Sequence, residues 1–137
     1  MIFAAALLSF VSCEGPAGHD GLDGDDFGFY VEIFTVRSQD WERVSIGRFT
    51  TLYKYIADVD VRKDAYEGGI VQVYMFQTDD KNEVQTPLPY WMQHTVGENT
   101  WLEGYNYDFD EGTVAFYAEV EKGTNPPTSS FRIVIAP

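Results

Sequence analysis

From residue 27 onward the sequence alternates with a period of two, and this pattern restricts what the chain can fold into more than any other feature. Tyr53, Tyr55, Ala57, Val59 and Val61 interleave with Lys54, Ile56, Asp58, Asp60 and Arg62, giving a largely apolar face opposite a largely charged one. Successive side chains of a strand point to opposite sides of its sheet, so this is a strand with one buried face. Val114, Phe116, Ala118 and Val120 repeat the pattern against Thr113, Ala115, Tyr117 and Glu119, and Tyr105, Tyr107 and Phe109 repeat it against Asn106, Asp108 and Asp110. Asp110-Glu111-Gly112 between the last two segments predicts a hairpin turn.

Further strands are expected at 29–36, 70–78, 90–93 and 131–136, separated by turn clusters at Gly68-Gly69, Asp79 to Glu83 and Lys122 to Pro127. Phe131-Arg132-Ile133-Val134-Ile135 is apolar on both faces apart from Arg132, which predicts a central position in its sheet. Pro87 and Pro89 each lack a ladder donor, so Thr86 to Pro89 reads as an edge strand or an irregular connection. No apolar helical stripe of ten or more residues is visible. The expected fold is all-β: a single antiparallel β-sandwich, Ig-like or jelly-roll-like, of about seven strands over residues 27–137. A core of about a hundred residues is enough for one domain.

The first 26 residues read differently. Met1 to Ser12 carries no charge, and Ile2-Phe3-Ala4-Ala5-Ala6-Leu7-Leu8 suits the apolar region of a signal peptide while being too short to span a bilayer. Ser9-Phe10-Val11-Ser12-Cys13 places a small residue directly before the single cysteine and resembles a lipobox, where lipoprotein signal peptidase cuts and leaves a lipid-bearing cysteine. Residues 1–12 are therefore expected to be a lipoprotein signal peptide, with lipid attached at Cys13. In the alternative reading, Met1 to Val11 is a buried element and Cys13 a core thiol. A lone cysteine forms no intrachain disulfide, so the domain must fold without one.

Residues 13–26 form the expected tether. Glycine recurs at every third position from Gly15 through Gly18 and Gly21 to Gly24, a short collagen-like pattern. Four triplets containing only Pro16 are too few to hold a triple helix, so an extended spacer and a monomer are expected. At about 3.1 Å per residue it would reach roughly 40 Å from the lipid.

Charge and composition narrow the function. Nine Lys+Arg against twenty-two Asp+Glu leave a net charge of −13, which argues against nucleic acid and anionic headgroups as partners. Nucleophilic catalysis needs a base within reach of a hydroxyl or thiol, and the only histidines are His19 in the tether and His94. One cysteine and two distant histidines make no recognisable zinc site, and no phosphate-cradling glycine loop is present. No enzyme activity and no cofactor are expected. Weak calcium candidates are Asp20, Asp23, Asp25 and Asp26 among the glycines, whose spacing is not that of an EF-hand loop, and Asp79-Asp80-Glu83. Asp58 with Asp60 and Asp108 with Asp110 share strand faces and would be the carboxylates of a hydrolase, a third-ranked alternative.

The tether, the strand Val73-Tyr74-Met75-Phe76 with its acidic turn, Tyr105-Asn106-Tyr107-Asp108-Phe109 and the terminal Phe131 to Pro137 together resemble a group of small Bacteroidetes-type lipoproteins of unknown function. That resemblance implies a lipid-anchored protein of the cell envelope, at the outer membrane, and carries no catalytic residues with it. The first functional expectation is a non-catalytic binding or structural module that recognises a protein partner through a sheet face or edge. The alternative is a glycan-binding lipoprotein, with Trp91, Tyr90, Trp101 and Trp41 as the candidate contact residues. Exposure of the tryptophans separates the two, because stacking on a sugar requires an exposed ring.

Overall fold

The computed structural model describes residues 28–137; Cys13, His19, the glycine triplets and Asp20, Asp23, Asp25 and Asp26 lie outside the described residues. The alternating segments form strands β1 (Tyr30–Val36), β2 (Glu42–Ile46), β3 (Thr50–Asp58), β4 (Ile70–Asp79), β5 (Asn82–Pro87), β6 (Tyr90–Val96), β7 (Asn99–Asp110), β8 (Thr113–Glu121) and β9 (Ser129–Ala136). Two antiparallel sheets result, one ordered β1-β9-β4-β5 and the other β2-β3-β8-β7-β6, packed face to face as a sandwich.

The inner faces follow from the alternation. Val114, Phe116, Ala118 and Val120 of β8 are buried together with Tyr53 and Ala57 of β3, and Phe131, Ile133 and Ile135 of β9 lie opposite them with Val71 and Val73 of β4. The sheets meet where Phe116 stacks on Phe131, ring centroids 4.5 Å apart at 14°. Burying each such side chain contributes about 1.5–3 kcal/mol. As its two-sided apolarity predicts, β9 is central, held between β1 and β4. Pro87 pairs with Tyr74 at the end of β5, an edge strand, where a missing donor costs no ladder bond on the open side.

The described residues contain nine strands rather than about seven. β2 and most of β5 show no strand periodicity because neither buries a face: every β2 residue is exposed, and a bulge between Arg43 and Ser45 breaks its alternation. The expected strand over 53–62 stops at Asp58. Val59 and Val61 stay buried, but their backbone leaves the sheet to exchange bonds with the hairpin turn: Val59 N donates to Gly112 O and Gly112 N to Val61 O, both 3.1 Å. A single-turn helix, α1 (Lys63–Gly68), then buries Ala65 before β4 begins.

These connections distinguish the two ends of the sandwich. At one end sit α1, the β7–β8 turn and the point where the chain enters, with Gly28 against Pro137 and Tyr66 edge-on to Phe109. At the other end are the β2–β3 turn, the β6–β7 turn and the start of the β8–β9 connection, where Lys122 N donates to Phe49 O at 2.9 Å. Among the described residues no helix is long and apolar enough to cross a membrane.

Candidate functional site

The outward face of the five-stranded sheet combines an exposed indole with a trough of mixed lining, and strand register builds it. Trp91 of β6 lies opposite Gly104 of β7, which lies opposite Glu119 of β8, itself opposite Leu52 of β3. Gly104 has no side chain, and the indole of Trp91 occupies that space: a Cβ at Gly104 would stand 2.0 Å from Trp91 Cε3. The ring is thus seated across the neighbouring strand while remaining 47% exposed. Gln93 and Leu102 form the next pair along the same face.

Beside this row the β2–β3 turn projects Arg48 and Phe49 over the end of the sheet. Together with Thr50, Gln93, Thr100, Trp101, Leu102 and Glu119 they line a trough of about 400 Å³. A second depression of about 450 Å³ shares Arg48, Phe49, Thr100 and Trp101 and continues past Asn99 and Lys122. Phe49 is 54% exposed, with the Arg48 guanidinium 5.0 Å from its ring centroid. Thr50 Oγ1 donates to Glu119 Oε1 at 2.6 Å, fixing one carboxylate oxygen in the lining. Aromatic and aliphatic surface therefore meets an amide, hydroxyls, a guanidinium and a carboxylate in a space of the size that holds small ligands, roughly 300–1,000 Å³.

Trp101 is half-buried and held from within. Its ring stacks on His94, centroids 5.2 Å apart at 18°, and His94 Nε2 is hydrogen-bonded to Glu103 Oε2 at 2.8 Å. Tyr105 donates to the other oxygen of Glu103 at 3.4 Å. Burial, with the adjacent Glu103 charge second, raises the Tyr105 phenol well above the usual tyrosine range, and burial also raises Tyr107.

The structure separates the aromatic residues singled out from the sequence. Trp91 projects outward over Gly104, whereas Trp101, opposite His94, belongs to the inward set of β7 and reaches the trough lining only at the end of the sheet. Tyr90 points inward as well, against the core and across from Tyr105, because adjacent strand residues face opposite ways. Trp41 is a correction, because it is only 6% exposed and packs edge-on to Tyr55 and Phe131 at 6.4 and 6.1 Å, out of reach of any sugar or partner.

The carboxylate readings resolve similarly. Asp108 and Asp110 both line a depression of about 350 Å³, but they lie side by side on one strand rather than across a cleft. Asp108 accepts a hydrogen bond from Tyr117 and Asp110 one from Thr113. A glycosidase needs its two carboxyl groups on either side of the scissile bond. Among the described residues no group of three or more His, Cys, Asp or Glu side chains is gathered as a metal would require, Asp79, Asp80 and Glu83 included.

Phe49, Arg48, Gln93 and Glu119 were not singled out from the sequence. Gly47-Arg48-Phe49 between two short segments was the available signal for the turn, and the β2 bulge concealed it. Comparison with known proteins adds no assignment: no family model matches the chain, and no curated protein or solved structure is significantly similar to it.

Proposed function

We propose that this protein is a non-catalytic binding module of the cell envelope, anchored at the outer membrane through lipid on Cys13, with the outward face of the five-stranded sheet as its binding surface. The observation that carries the reading is the seating of Trp91. An exposed indole is held rigidly over Gly104, beside a trough lined by Phe49, Leu102 and several hydrogen-bonding side chains. Large rings fixed in advance lose little freedom on binding, which is why they dominate recognition surfaces.

The two ends of the sandwich suit a tethered protein. The chain enters beside Pro137 and α1, whereas the trough lies at the opposite end, near Phe49 and Thr100. A lipid on Cys13 would then leave the trough facing away from the membrane, at the end of an extended spacer. The paired carboxylates on β7 favour a solvated face over hydrolysis, because both are engaged with neighbouring hydroxyls and neither faces the other across a gap.

Fractionation tests the anchor. In a host that processes lipoproteins, the wild-type chain is expected in membranes at the mass of residues 13–137 plus a diacylglyceryl group, and Cys13→Ala is expected to release it. A full-length, unmodified and soluble product from both genes would overturn the anchored reading.

A further inference from the structure

Resting on that binding-face reading, we infer that the trough beside Trp91 is a site for a neutral oligosaccharide, with Trp91 and Phe49 as ring-stacking surfaces and Gln93, Arg48 and Glu119 as hydroxyl-pairing groups. A pyranose ring offers two kinds of surface at once: a C–H face with no hydrogen-bonding capacity and a rim of hydroxyls, each both donor and acceptor. The complementary protein surface needs an exposed, immobile apolar plane with mixed donors and acceptors at its edge. Trp91 and Phe49 are 47% and 54% exposed, and the Gly104 seat holds the indole in place. Gln93 supplies two donors and an acceptor, Arg48 only donors and the Glu119 carboxylate only acceptors, so either sense of a hydroxyl can be met.

Charge selects among sugars and against other occupants. One guanidinium and one carboxylate border the first trough, so the lining itself has no net preference for an ion. The chain as a whole carries −13, which repels acidic polysaccharides and also a second copy of this chain. A protein partner of ordinary affinity needs about 800 Å² on each side, whereas the feature present is a local trough of about 400 Å³ in which an amide, hydroxyls, a guanidinium and a carboxylate lie among the apolar groups. Two adjoining depressions of about 400 and 450 Å³ that share Arg48, Phe49, Thr100 and Trp101 accommodate more than one ring, which favours an oligosaccharide over a monosaccharide.

The test is a titration of the full-length lipidated protein, solubilised in detergent, with cellohexaose, mannohexaose, xylohexaose and chitohexaose, and with polygalacturonate as the acidic arm, read by calorimetry. At least one neutral hexasaccharide is expected to bind, polygalacturonate is expected not to, and Trp91→Ala and Phe49→Ala are each expected to weaken binding by about tenfold or more. Gly104→Ala retains the indole but unseats it, and is expected to weaken binding with Trp91 still present. Ile33→Ala, on the outer face of the other sheet, is expected to leave binding unchanged. Thermal melts of every variant separate lost binding from lost fold.

Failure of all four neutral sugars, or binding that survives both aromatic substitutions, overturns the sugar assignment. The parent reading is judged separately: if the sugars do not bind and yet Trp91 and Phe49 are shielded from hydroxyl radicals in native envelopes, the binding-face reading stands and the face is a protein-binding surface. If the sugars do not bind and neither ring is shielded, both inferences fall.

Discussion

The outer faces of the two sheets obey the same alternation rule and differ in what surrounds their exposed apolar residues. On the four-stranded sheet Val31, Ile33 and Ile70 are 54–65% exposed, and the one cation among them, Arg132, lies over the Phe76 ring at 5.3 Å. On the five-stranded sheet the corresponding rows hold Gln93, Glu119, Lys54 and Asn106, and the single large ring projecting outward from β6 is seated over a glycine. Both faces expose apolar surface, so apolarity alone does not mark a ligand site. What distinguishes them is that one combines an exposed ring with hydrogen-bonding groups around a trough, because the β2–β3 turn carries Arg48 and Phe49 over the sheet end.

The comparison presumes that a shared core supports both faces, and the largest expected effect tests that assumption. Phe131 belongs to the four-stranded sheet, is fully buried, and contacts Phe116, Trp41 and Tyr105. Phe131→Ala should cost about 3–5 kcal/mol in denaturant unfolding, with both sheets melting in one transition. A loss well under 1 kcal/mol, or two separate transitions, would show that the sheets are not mutually supporting.

A smaller effect separates the faces themselves. Gly104→Ala removes the indole seat, since the new Cβ would overlap the ring at 2.0 Å. The ring can swing into solvent, so the expected change is a red-shifted, more readily quenched tryptophan fluorescence with a stability loss of roughly 1–3 kcal/mol. An unaltered emission spectrum would mean that the indole is not held against the strand. Ile33→Ala on the opposite face should stay within about 0.5 kcal/mol of wild type.

The smallest expected effect is on pH dependence. Tyr105 and Tyr107 are raised above the ordinary value of 10.0, chiefly by burial. Between the unfolded and folded values the unfolded chain loses protons that the native protein keeps, so unfolding is favoured as pH rises. The stabilisation is fully present below pH 10 and declines above it. Tyr105→Phe should flatten that decline in melts between pH 9 and about 11.5, and an unchanged slope would place the alkaline sensitivity elsewhere.

Much of the fold was legible because β3, β7, β8 and β9 each bury a face, and a buried face imposes a period on the sequence. Their cores, the Asp110-Glu111-Gly112 turn and the central place of β9 follow from that alone. β2 and β5 bury no face, and nothing then forces their residues to alternate. β7 begins at Asn99, and its first residues are not legible as strand because Gly104 interrupts the apolar pattern; that glycine is where the indole sits. Trp91 is legible as one of three tryptophans, yet the trough is not, since Phe49 and Arg48 arrive from a turn more than forty residues away. Trp41 shows the opposite limit: a tryptophan beside a connection can look exposed in sequence and still be drawn into the core, where its large ring fills space between Tyr55 and Phe131.

The central claim is that the Trp91 face, and not the Ile33 face, meets a ligand in the envelope. Hydroxyl-radical footprinting compares the two directly, with the wild-type protein labelled in intact native envelopes and again after purification in detergent. Oxidation of Trp91 and Phe49 should fall in the envelopes relative to the purified protein while that of Ile33 and Val31 is unchanged. Equal labelling of Trp91 and Phe49 in both preparations, or protection confined to Ile33 and Val31, would contradict the account.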